Sequence, residues 1–118
     1  MTVKRGDVVL VPIPFTSGTG GKVRPALVVQ SDHNNNRIAH TIVAIFTSTT
    51  HRAAREPMQL LIDTATPKGR QSGLLDPSAV KCEHLATLDQ SLIRRVVGTL
   101  PAVTMAQVDA CLKASLRL

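Results

Sequence analysis

"TIVAIFTSTT" occupies residues 41–50. The first six residues, Thr41 to Phe46, are rich in β-branched side chains, and the run is too short for a globular helix. It predicts a strand, which empties into the hydroxyl cluster Thr47-Ser48-Thr49-Thr50. Working outward, the same kind of run recurs. Ala26 to Gln30 precedes it, separated by the polar turn "SDHNNN" at Ser31 to Asn36. Val8 to Ile13 comes earlier still, after the turn signal Arg5-Gly6-Asp7, and is ended or placed at an edge by Pro12 and Pro14. Between these two lies Thr16-Ser17-Gly18-Thr19-Gly20-Gly21, a glycine- and hydroxyl-rich loop closed by Arg24-Pro25. Pro25 biases Arg24 to an extended backbone, which puts its side chain where a strand begins.

Downstream, Met58 to Ile62 reads as a fourth strand, and residues 63–78, with Pro67, Gly69, Gly73 and Pro77, as turns. Ala79 to Cys82 reads as a fifth strand that can continue through His84, and Arg95 to Leu100 as a sixth after a helical turn at Gln90–Ile93. Then the period changes. Met105, Val108, Leu112 and Leu116 fall three or four apart, one face of a helix that Thr104 is placed to cap. Many short strands and one terminal helix predict a mainly β fold: a small, strongly bent sheet or partly open barrel with the helix packed on it.

The chain has 118 residues, which predicts a single domain over 1–118, and 43% hydrophobic residues, enough for one core. Only Phe15 and Phe46 are aromatic, so the core is aliphatic and base stacking on exposed rings is disfavoured. The net charge of +6 favours polyanionic partners, and its scattered cations require the fold to assemble any patch. Lys4, Arg5 and Asp7 interrupt the N-terminal segment before any signal-like apolar run, and no stretch reaches membrane-spanning length. These features predict a cytoplasmic protein whose Cys82 and Cys111 stay reduced.

No Gly-x-Ser-x-Gly, Walker loop or dinucleotide fingerprint occurs, and "GTGGK" leads into a strand, not the helix a phosphate loop needs. Cys82 and His84 share a strand face but supply only two ligands, and His33, His40 and His51 offer no second pair at zinc spacing. What remains is Arg24, Thr47 and Lys81-Cys82-Glu83-His84. If strands two and three are antiparallel, Arg24 and Thr47 share one rim. Lys81 and Glu83 alternate with Cys82 and point to one side, while His84 needs a local twist to join them. Such a groove suits a phosphodiester. Arg24 can pair with the non-bridging oxygens, Thr47 can donate to them, and Glu83 can move a proton. RNA carries its own 2′-hydroxyl nucleophile, so neither a serine triad nor a metal is required. Bland roles stand beside these: Arg24 paired with a carboxylate such as Asp32, Thr47 bonding a turn backbone, Glu83 solvated at an edge.

"KRGDVVLVPIPF", "GGKVRPALVVQSD", "TIVAIFTSTT", "SGLLDPSAVKCEHLATLD" and "VDACLKASL", in that order along nearly the whole chain, resemble the MazF/PemK toxins of type II toxin–antitoxin systems. The resemblance implies an SH3-like (PemK/CcdB-type) barrel with a C-terminal helix, a homodimer, and a metal-independent, sequence-specific endoribonuclease acting on single-stranded messenger RNA. Its products would be a 2′,3′-cyclic phosphate and a 5′-hydroxyl. The family's catalytic arginine falls on Arg24 and its threonine or serine on Thr47. Lys81 and Glu83 stand where PemK-like members carry arginine and aspartate around a cysteine, and are departures in fork geometry and reach. Together with Glu83 as the proton carrier, RNA contacts are expected from Gly20, Gly21, Lys22, Ser48, Thr49, Lys81 and His84. Gly20 and Gly21 would let backbone amides approach a phosphate. No cofactor is implied. An antitoxin with an acidic, partly disordered segment is, and the positive charge suits it as well as RNA. Two other readings remain open. A CcdB-like gyrase poison would cut nothing, and "KASLRL" lacks the aromatic tip expected of that class. A non-catalytic nucleic-acid-binding barrel would bind RNA and leave it intact.

Overall fold

The computed structural model of the protein describes residues 2–13 and 22–118. Among them a six-stranded antiparallel sheet runs in the order β4-β5-β3-β2-β1-β6, with β1 (Asp7–Ile13), β2 (Lys22–Val28), β3 (His40–Thr47), β4 (Gln59–Ile62), β5 (Ser78–Asp89) and β6 (Arg95–Thr99). Three α-helices accompany them, α1 (Asp32–Arg37), α2 (Pro67–Arg70) and the long C-terminal α3 (Ala102–Leu116), with short 3-10 turns at His51–Ala54 and Gln90–Leu92. The sheet curls into a half-barrel. Its two register irregularities, between Val8 and Val9 of β1 and between Ala44 and Ile45 of β3, are where bulged strands bend and twist more strongly.

Both sheet faces are covered, which explains why the strands read as continuous apolar runs and not as alternating ones. On one face Val8, Leu27, Ala44, Phe46, Val80 and Cys82 pack against Met105, Val108 and Cys111 of α3. On the other, Val9, Val11, Ile13, Ala26, Val28, Val43 and Ile45 close on one another inside the curl, with Val3 and Ile93. Successive residues of β3 alternate between the two clusters, as a two-residue side-chain period requires.

Several local expectations are corrected. "SDHNNN" is not a turn: Ser31 accepts from the Asn34 amide and starts α1. The helix forms because Asn35 is buried and bonded to Gln30 and Thr41, partners remote from a local reading. The second strand begins at Lys22 and ends at Val28, so Arg24 lies within it. Part of 63–78 is helical, with Thr66 capping α2 through the Gly69 amide. β5 runs on to Asp89 because its second half pairs with β3 from His40 to Ala44. Thr104 does not cap α3. Pro101 holds the N-cap position, and Thr104 is buried one turn inside. The buried stripe is Thr104, Met105, Val108 and Cys111, and Leu116 is exposed.

Cys82 and Cys111 are both free and buried where β5 meets α3. Burial, with Cys111 and Glu83 nearby, pushes the Cys82 thiol from 9.0 up to about 12. The unfolded chain therefore releases this proton first as pH rises. The contribution is fully present below pH 9 and is lost between about 9 and 12. Denaturant titration across that window is expected to show falling stability in the wild type and a shallower fall in Cys82→Ala. Equal slopes would contradict the assignment.

Candidate nucleic-acid interface

The site is built by register. β2 and β3 pair through Ala26↔Ile45, Leu27↔Ala44 and Val28↔Val43. The pairing stops at Ala26↔Ile45, two positions short of Arg24 on β2 and of Thr47 on β3. Both lie on the face of Ala26 and Ile45, just past the point where that core cluster ends. Pro25, which has no amide hydrogen, sits where the ladder stops. On the far side of β3, Ile45 pairs with Lys81 and Thr47 with Ala79, and Lys81 in turn pairs with Gln59 of β4. Thr47, Lys81 and Gln59 thus share one face of β3, β5 and β4, a staggered row in which Lys81 and Gln59 stand level with Ile45, and Arg24 lies on the same face of β2.

The row lines a cavity of about 180 Å³ bounded by Thr47, Thr49, Arg52, Gln59 and Lys81. Arg24 is exposed at the neighbouring strand and does not line it. Thr47 Oγ1 accepts the Thr49 amide at 3.1 Å, so the hydroxyl bonds a turn backbone and keeps its own proton to donate. Glu83 lies beside the cavity, its Oε2 accepting from Gln59 Nε2 at 2.8 Å. Arg24 does not pair with Asp32, which instead accepts from the Arg5 amide. The ion pair Arg5–Asp109 lies away from this row, and Arg24, Arg52 and Lys81 make no ion pair among the described residues. Cations without partners on a common rim make a local positive field, stronger than scattered charge in the sequence conveys.

The other expected contact residues divide. Lys22 is exposed two residues before Arg24, on the same side of β2. Ser48 alternates to the opposite face and lines a different, larger cavity of about 440 Å³ with Leu10, Pro25, Leu74, Leu75 and Arg95. His84 is half-buried and outside the Thr47 cavity. It falls in the stretch where β5 leaves β3, since Ala44 pairs with Leu85 but Ile45 with Lys81. Gly20 and Gly21 lie outside the described residues. Sequence reading missed Arg52 and Gln59. Arg52 falls inside 48–57, between the hydroxyl cluster and β4, and Gln59 is a polar residue opening an apolar strand. The β4–β5 register links Gln59 to Lys81, and the shared cavity links Arg52 to both. Among the described residues no group of three or more His, Cys, Asp or Glu is placed to hold a metal ion. No described helix is long and apolar enough to cross a membrane.

The curled antiparallel sheet with a C-terminal helix defines a small, mainly β half-barrel fold. The chain belongs to the PemK-like, MazF-like toxins of type II toxin–antitoxin systems, whose family model matches residues 4–116. It is 32% identical over 119 residues to Endoribonuclease EndoA of Bacillus subtilis, covering 100% of this chain and 97% of that protein. It is 33% identical over 120 residues to Endoribonuclease MazF6 of Mycobacterium tuberculosis, covering both chains completely. The fold matches that of an endoribonuclease solved in complex with its cognate antitoxin from a mycobacterial species. That match has a TM-score of 0.79 at 18% identity and covers 98% of this chain and 96% of that one.

Proposed function

We propose that this protein is the toxin of a type II toxin–antitoxin pair and acts as a sequence-specific, metal-independent endoribonuclease on single-stranded RNA. The observation that carries the reading is the sheet face shared by Arg24, Thr47 and Lys81, whose cations make no ion pair among the described residues. In this reading the ribose 2′-oxygen attacks the adjacent phosphorus and the P–O5′ bond breaks. Glu83 takes the 2′-hydroxyl proton, and the departing O5′ acquires one from solvent. Arg24 pairs with the non-bridging oxygens, and Thr47 donates to one of them, where negative charge grows most. Lys81 and Arg52 hold neighbouring phosphates, with Lys22 and Thr49 extending the track. His84 fits at its margin, while Ser48 faces the other cavity. The same cationic groove takes an acidic, partly disordered antitoxin segment in competition with RNA. The toxin works as a cytoplasmic homodimer. An endoribonuclease in complex with its cognate antitoxin shares this fold, which supports the partner assignment.

The test is RNA cleavage by purified protein in EDTA. Cleavage is expected, and Thr47→Val is expected to slow it about a hundredfold by removing one donor to the transition state. Intact RNA, or gyrase inhibition without RNA loss, would overturn the proposal.

A further inference from the structure

Glu83 is weakly held by its own strand. It lies in the part of β5 between Lys81 and Leu85 that has no partner on β3, and it is exposed. Among the described residues one side chain fixes its carboxylate: Gln59, whose Nε2 donates to Oε2 at 2.8 Å. Gln59 is itself rigid. It pairs with Lys81 in the β4–β5 ladder, its backbone N–H donates to Glu56 O at 3.1 Å, and only 6% of its surface is exposed.

The direction of the Gln59 amide follows from this partner, since turning it over would set Oε1 against a carboxylate oxygen. That direction leaves Oε1 buried without a hydrogen-bond partner. A buried amide kept for stability alone is expected to have both ends satisfied. Here one end is given up so that the other holds a carboxylate at the edge of the groove. We propose that Gln59 is a positioning residue that aims Glu83 at the reacting ribose; this rests on the nuclease reading above.

Gln59→Met keeps the volume of the side chain and removes the unpaired acceptor with the donor. The variant is expected to melt at or above the wild-type temperature and to lose about tenfold in kcat at unchanged KM, the usual scale for groups that orient a reacting residue. In a Glu83→Ala background the same change is expected to have no further effect on kcat. A lowered melting temperature would make Gln59 a structural strut and overturn the proposal. So would wild-type kcat in Gln59→Met, or a further tenfold loss in the Glu83→Ala background. Full activity of Glu83→Ala would overturn it too, while leaving the nuclease reading on Arg24 intact. Absence of cleavage by the wild type would defeat that reading itself.

Discussion

Arg24→Ala is expected to lower the RNA cleavage rate by about a thousandfold while leaving stability within about 0.5 kcal/mol of wild type. The two halves of this prediction have separate physical causes. Arg24 is exposed, and its side chain has no partner among the described residues, so alanine leaves no buried group unsatisfied. The β1–β2 ladder at this position, Val11↔Arg24, is a backbone pairing that alanine retains. The guanidinium contributes in the transition state, when the non-bridging oxygens gain charge and two parallel hydrogen bonds strengthen. Arg24→Lys keeps the charge and loses the planar fork, so it is expected to recover only part of the rate. The measurement is single-turnover cleavage of a short RNA beside urea unfolding of the same proteins. A variant that folds and cuts at the wild-type rate would remove Arg24 from the mechanism.

The largest expected effect on stability lies elsewhere, at Gly73. The Ser72–Gly73 turn docks against β6 with backbone touching backbone. A Cβ on Gly73 would sit 2.1 Å from the Val97 carbonyl oxygen, and one on Gly98 would sit 2.3 Å from the Ser72 carbonyl carbon. Neither obstacle is a side chain that can swing aside. Gly73 also has φ of 74°, the left-handed region that L-residues enter at a cost. The Thr99 amide bonds Gln71 O at 3.0 Å, and Ser72 Oγ accepts the Leu74 amide at 3.1 Å, so the segment cannot retreat without losing bonds. Gly73→Ala is therefore expected to destabilise the protein by about 3–5 kcal/mol, read as a lower urea midpoint at unchanged slope. A shift under about 1 kcal/mol would mean that the turn can separate from β6 freely.

The strands were legible because the sheet is buried on both faces, which leaves unbroken apolar runs such as Val8–Ile13 and Thr41–Phe46. The antiparallel pairing of β2 with β3 was legible for a related reason: consecutive apolar runs separated by a short polar segment pair with each other. What escaped depends on contacts distant in sequence. Asn35 turns a polar stretch into a helix through Gln30 and Thr41. The second half of β5 exists because of its pairing with β3, which half-buried residues such as His84, Leu85 and Ala86 do not announce. Gln59 enters the site through a pairing with Lys81, 22 positions later in the chain, and a hydrogen bond to Glu83. The opposite placements of Thr47 and Ser48 follow from strand alternation, once β3 is known to run as far as Thr47.

The ends left on a cut RNA report most directly on the chemistry assigned to this rim. If Arg24 and Thr47 steady a phosphorus attacked by the neighbouring 2′-oxygen, the upstream fragment ends in a 2′,3′-cyclic phosphate and the downstream fragment begins with a 5′-hydroxyl. An RNA with a single 2′-deoxy sugar at the cut position should then resist cleavage in EDTA. A 3′-hydroxyl with a 5′-phosphate, or normal cutting beside that deoxy sugar, would contradict the account.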